Sequence, residues 1–83
     1  MLKALTLKVL TPERTAFEGE VEAVFLPGSA GAFEVLPDHA PIITTLEEGN
    51  VVWRIGGEES SLPVKRGALI LKDNVLTVCV QEG

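Results

Sequence analysis

From Ala4 to Leu10 apolar and polar positions alternate, with Leu5, Leu7 and Val9 on one face and Ala4, Thr6 and Lys8 on the other. A period of two sends successive side chains to opposite faces of an extended chain, so the segment predicts a half-buried β-strand. Thr11-Pro12-Glu13-Arg14 then imitates a helix start, with a capping hydroxyl, an early proline and an acid. No apolar stripe at helical spacing follows, and Gly19 interrupts the segment, so Pro12 is read as the turn between two strands. Phe17, Val21, Ala23 and Phe25 mark the next extended pair, and residues 20–26 run as a strand up to Pro27.

Further along, Ile42-Ile43-Thr44-Thr45-Leu46 is β-branched almost throughout, which favours a pleated surface over a helix. Residues 47–50 read as a turn. Residues 51–55 and 61–64 flank Gly56-Gly57-Glu58-Glu59 as a hairpin, and Pro63, which cannot donate to a ladder, marks an edge or a bulge. Residues 68–72 and 75–80 are the last two strands, joined by the polar turn Asp73-Asn74. The pattern predicts an all-β fold, a β-sandwich or flattened barrel of about eight to ten short, mostly antiparallel strands. The predicted inward residues are Leu5, Leu7, Val9, Phe17, Val21, Phe25, Val51, Trp53, Ile55, Leu69, Leu71, Leu76, Val78 and Val80.

Length and composition narrow this picture. With 83 residues and no repeat or linker, residues 1–83 are expected to form a single domain, near the lower limit for one hydrophobic core. Only Phe17, Phe25, Phe33 and Trp53 are aromatic, so the core must be mostly aliphatic. A net charge of −5 without a basic cluster argues against nucleic acid and gains nothing at an anionic membrane surface. Cys79 is the only cysteine, which excludes an intrachain disulfide; between two valines it is expected to be a small buried hydrophobe. The basic, apolar Met1–Leu10 lacks an unbroken apolar run or a small-residue cleavage site, so it is read as mature chain. No run approaches the ~20 apolar residues of a membrane span, and no direct membrane insertion is expected.

The densest chemistry lies in residues 26–41, which hold Pro27, Pro37, Pro41, Gly28, Gly31 and the only histidine, His39. A connection this stiff and this apolar predicts a built contact surface. Gly28 and Gly31 lack the lysine and the helix that a phosphate cradle needs, so they are read as turn glycines. Asp38 and His39 are adjacent on an extended chain and point apart, and one histidine with one distant cysteine is too small a ligand set for zinc. His39 is therefore expected to be structural or to touch a partner.

Thr11-Pro12-Glu13-Arg14 with Phe17-Glu18-Gly19-Glu20-Val21, Leu26-Pro27-Gly28-Ser29 with Gly31 and Phe33, Val35-Leu36-Pro37 with His39-Ala40-Pro41, and Gly67-Ala68-Leu69 before Asp73-Asn74-Val75 together carry a likeness. On these residues the chain resembles the ε subunit of bacterial F-type ATP synthases across nearly its whole length. The resemblance implies a non-catalytic rotor subunit whose β-sandwich links the γ subunit of the central stalk to the ring of c subunits, coupling ion translocation to ATP synthesis. It implies no catalytic residue, cofactor, metal or nucleotide. By the same likeness Thr11, His39 and Thr44 would contact γ, and Ser29, Ala30, Gly31 and Ala32 would meet the c ring. The implied location is peripheral, on the cytoplasmic face of the bacterial inner membrane through the complex.

Two departures stand out. Glu34 and Asp38 occupy positions where the family commonly has glycine; Asp38 can visit the left-handed region, whereas Glu34 is expected in extended backbone. The sequence also stops at Gly83, before the pair of C-terminal helices most members carry, so neither helix-mediated inhibition nor ATP binding is expected of it. The competing class is a small all-β carrier module of the biotinyl or lipoyl kind, for which Lys72 beside the Asp73-Asn74 turn is the nearest imitation of a modified lysine.

Overall fold

The computed structural model describes residues 4–83, so the reading of Met1–Lys3 lies outside the described residues. Eight strands follow in order: β1 (Leu5–Leu10), β2 (Thr15–Val21), β3 (Ala23–Leu26), β4 (Phe33–Val35), β5 (Ile42–Leu46), β6 (Gly49–Ile55), β7 (Glu58–Lys72) and β8 (Val75–Glu82), with no helix among the described residues. They join in one continuous ladder, β2-β1-β8-β7-β6-β3-β4, with β5 added alongside β7. All neighbours are antiparallel except β1 and β8, which run parallel from Thr6↔Val75 to Leu10↔Cys79.

The long β7 makes two layers out of this ladder. Its first half pairs with β6, from Ile55↔Glu58 to Gly49↔Val64, and its second half lies between β5 and β8. A register shift between Val64 and Arg66 separates the halves, next to the proline that cannot donate. The segments read from the sequence as separate strands at 61–64 and 68–72 are thus one bent strand. Phe17 of β2 meets Trp53 of β6 with ring centroids 4.9 Å apart, so the folded ladder closes on itself.

Alternation fills the interior with aliphatic side chains. Leu5, Leu7 and Val9 of β1 face Leu76, Val78 and Val80 of β8 and Leu69 and Leu71 of β7, and all are buried. Val24, Leu26, Val35, Leu46 and Val64 join this core, although none was expected there. The cause at β3 is the corner at Glu22: Val21, Ala23 and Val24 are all buried, so the period slips by one. Phe25, predicted inward, is consequently turned outward and only partly covered, with the Arg54 guanidinium carbon 6.0 Å from its ring centroid. Ile55, also predicted inward, is 46% exposed because it is the last residue before the Gly56-Gly57 turn. Cys79 is exposed rather than buried, as alternation between buried Val78 and Val80 requires. Gly49 and Asn50, read as turn, open β6.

Two hairpin turns carry paired left-handed residues, Gly56 and Gly57 (φ 57° and 81°) and Asp73 and Asn74 (φ 51° and 63°), the pattern that matches the twist of adjoining strands. The turn from β1 to β2 is closed instead by a side chain. The Thr11 hydroxyl accepts the Glu13 and Arg14 N–H groups and donates to the Arg14 carbonyl, so the helix-start residues cap a turn without a helix. Arg14 Nη2 also reaches Glu82 Oε1 at 2.8 Å, but the arginine side chain is 53% exposed. Arg14→Ala is expected to shift unfolding by less than about 1 kcal/mol in a urea titration, because water screens such a pair.

Candidate partner-binding surfaces

The stretch from Pro27 to Pro41 is pinned to the sandwich at two places. At the first, the Glu47 N–H donates to the Pro27 carbonyl, the Ser29 N–H to the Thr45 carbonyl, and the Thr45 hydroxyl to Ser29 Oγ at 2.9 Å. Gly31 N–H closes a turn onto Gly28 O at 3.0 Å. Gly28 has to be glycine for lack of space, since a Cβ there would lie 2.6 Å from Gly31 O and 2.7 Å from the Phe33 ring. The Ser29–Ala32 loop is thereby hung on β5, with Ser29, Ala30, Gly31 and Ala32 all exposed.

The second place is the Pro37-Asp38 turn after β4. Glu34 sits within β4 in extended backbone, and Asp38 adopts φ 66°, both as the residue types predict. His39 N–H donates to the Leu36 carbonyl at 3.3 Å, and the exposed His39 ring pairs through Nδ1 with the Ala40 carbonyl at 2.8 Å. A carbonyl only accepts, so Nδ1 carries the proton and neutral His39 keeps Nε2 as an acceptor for another molecule.

The sequence-predicted residues fall into two groups in space. His39, Thr44, Ala30 and Gly31 line one open hollow of about 310 Å³ with Gly28, Phe33 and Ile42. Two residues expected against γ and two expected against the c ring therefore share one concavity, walled by Phe33 and Ile42. His39 is the only ionisable side chain in that lining. Chemically it offers an apolar floor with an imidazole and a hydroxyl in its lining.

Thr11 lies elsewhere, in a larger groove of about 940 Å³ that also includes Leu10, Thr45, Arg66, Ala68 and Cys79. Strand β5 divides the two concavities, because Ile42 and Thr44 lean inward while Ile43 and Thr45 face out. The groove continues onto an exposed apolar face, where Ile43, 81% exposed, pairs in register with Ile70. Sequence reasoning missed this face. Its signal was present in Ile42-Ile43, where two consecutive isoleucines cannot both point inward.

Comparison with known proteins assigns this sandwich. The model of the ATP synthase Delta/Epsilon chain beta-sandwich domain matches residues 4–83. The chain belongs to that family. Within the family, it is 35% identical over 79 residues to the ATP synthase epsilon chain of Leptospira borgpetersenii serovar Hardjo-bovis, covering 95% of this chain and 62% of the relative. It is 40% identical over 74 residues to the epsilon chain of Dehalococcoides mccartyi strain CBDB1, covering 89% and 53%. The chloroplastic epsilon chain of Anthoceros angustus is 36% identical over 78 residues, covering 94% and 56%. The chain spans less than two thirds of the length of these curated relatives.

The family fold also superposes on a chain of the Euglena gracilis mitochondrial ATP synthase with a TM-score of 0.88 at 18% identity, covering 95% of this chain and 51% of that one. A chain in the central stalk and c-ring structure of the Tetrahymena thermophila mitochondrial ATP synthase gives 0.82 at 11% identity, covering 98% and 66%. At such identities the likeness establishes the fold. The carrier reading of Lys72 loses its footing to the family match, and Lys72 is itself held in the ladder opposite Val75.

Proposed function

We propose that this family member is an ε-type subunit of the ATP synthase central stalk, a non-catalytic rotor part that links γ to the c ring. The observation that carries the reading is the family match across residues 4–83, and the origin of the Tetrahymena neighbour in a central stalk and c-ring assembly supports it. Residues 1–83 would act as one β-sandwich unit, held peripherally at the membrane by the complex on the cytoplasmic face of the bacterial inner membrane.

In this reading Ser29, Ala30, Gly31 and Ala32 meet the c ring from a loop fixed on β5, while His39 and Thr44 meet γ from the shared hollow. Thr11 contributes shape rather than a hydrogen bond, because its hydroxyl is already taken by its own turn. A close-packed sandwich with short turns transmits strain between two partners with little internal give. Pro37 and Pro41 lower the entropy lost when the contact loop is held in one shape.

His39→Ala and Pro41→Gly are each expected to weaken γ association by about tenfold, or 1.4 kcal/mol, in titration calorimetry, with the melting curve of the isolated chain nearly unchanged. Unaltered γ binding in both variants would remove the interface assignment. Co-purification from source membranes with α, β, γ and c subunits tests the wider role.

A further inference from the structure

Only three described residues other than glycine adopt left-handed backbone: Asp38, Asp73 and Asn74. Asp73 and Asn74 belong to a hairpin turn that asks for this conformation. Asp38 takes it at the third position of the Leu36–His39 turn, behind Pro37, where a type II turn also asks for it, and it is in direct contact with Asn74. The Asp38 N–H donates to Asn74 Oδ1, and Asn74 Nδ2 donates to Asp38 Oδ1 at 2.9 Å. This reciprocal pair joins positions 36 residues apart in sequence.

Its two ends differ in stiffness. Asn74 sits between the paired strands β7 and β8, and its carbonyl accepts the Thr6 N–H at 2.8 Å, which ties the turn to β1 as well. The loop after β4 has little of its own to hold it. Pro37 and Pro41 have no N–H, and its internal backbone hydrogen bond, His39 to Leu36, is long at 3.3 Å. The side-chain pair is therefore what ties this turn to the sheet at residue 38, and residue 39 follows it.

We propose that Asp38 and Asn74 form a positioning clamp that holds His39 at the edge of the hollow and thereby sets affinity for γ. The proposal rests on the reading that His39 meets γ. Without the clamp the loop would have to be ordered at the moment of binding, and that cost would come out of the affinity. The clamp touches neither partner by necessity; it acts through His39.

An exchange of the two side chains tests it. Asn74→Asp keeps an acceptor for the Asp38 N–H but removes the Nδ2 donor, which leaves two carboxylates facing each other with no side-chain donor between them. Adding Asp38→Asn restores a donor, because the amide at 38 can then donate to the carboxylate at 74 while the backbone N–H of residue 38 keeps its acceptor. Both positions stay Asp or Asn, the types that tolerate left-handed backbone. The single variant should bind γ about tenfold more weakly and exchange the His39 amide hydrogen faster, with the double variant within about twofold of the original on both. Failure of the double variant to recover, or a single variant that binds and exchanges like the original, overturns the clamp.

His39→Ala in the same binding assay separates the two claims. If it binds γ as tightly as the original chain, the γ reading of His39 fails, and with it the proposed effect on affinity. The clamp as a holder of the loop is then decided by hydrogen exchange at residues 38 and 39 of the isolated chain, where no acceleration in Asn74→Asp refutes it.

Discussion

Leu7→Ala is expected to lower the unfolding free energy by about 3 kcal/mol, within the usual range for a buried leucine truncated to alanine. Leu7 is fully buried in β1, opposite Gly19 of β2 on one side and Leu76 of β8 on the other. Strands on both sides fix its place in the sheet, so the cavity cannot close by a small local shift. A chain of this length has about 4–12 kcal/mol of stability in total, so the loss removes a large share. The midpoint of thermal unfolding should fall by about 12–24 °C by calorimetry. A loss below about 1 kcal/mol would mean that β1 is not the centre of the core.

Gly28→Ala is expected to cost about 1–3 kcal/mol and to displace the Ser29–Ala32 loop, because the added methyl would overlap Gly31 O and the Phe33 ring. Neither neighbour can yield freely: Gly31 O is backbone, and Phe33 packs against the core. The paired measurement is a urea titration of the isolated chain with c-ring binding measured on the folded protein. If the loop meets the c ring as proposed, binding should fall more than stability, since the loop would offer its backbone shape to the partner. Full c-ring binding in a folded Gly28→Ala chain would detach the loop from that contact. Gly31→Ala provides the contrast, with no atom within 4 Å of the new methyl but a φ of 135° that disfavours it, so its effect is on loop conformation alone.

The order of strands was readable where alternation was unbroken, as in Leu5-Thr6-Leu7-Lys8-Val9 and Leu76-Thr77-Val78-Cys79-Val80. Alternation also places Cys79 outward between Val78 and Val80, against the usual preference of free cysteine for the interior. What could not be read was a change of period. The corner at Glu22 moves Val24 inward and Phe25 outward, and the shift after Val64 carries one strand between two layers. Both depend on which strands lie alongside, which a local pattern does not encode.

The geometry of the candidate surface was legible in part for the same reason. The proline and glycine spacing marked residues 26–41, and the conformations of Glu34 and Asp38 followed from side-chain type. The meeting of Ala30 and Gly31 with His39 and Thr44 in one hollow comes from long-range attachments, Ser29 to Thr45 and Asp38 to Asn74. Those partners are far apart in the chain, and no motif announces them.

The parallel pairing of β1 with β8 has a consequence during synthesis. Leu5, Leu7 and Val9 leave the ribosome early, but the strand carrying Leu76, Val78 and Val80 is made last among the described strands. The intervening β1–β2 hairpin is too small to stand alone, since an isolated two-stranded hairpin is marginal in water. At about 5–20 residues per second, the apolar stripe of β1 stays uncovered for several seconds on every nascent chain. Until β8 arrives the growing polypeptide is a sticky, unfinished edge, and its safe completion depends on keeping other chains away from β1 over that interval.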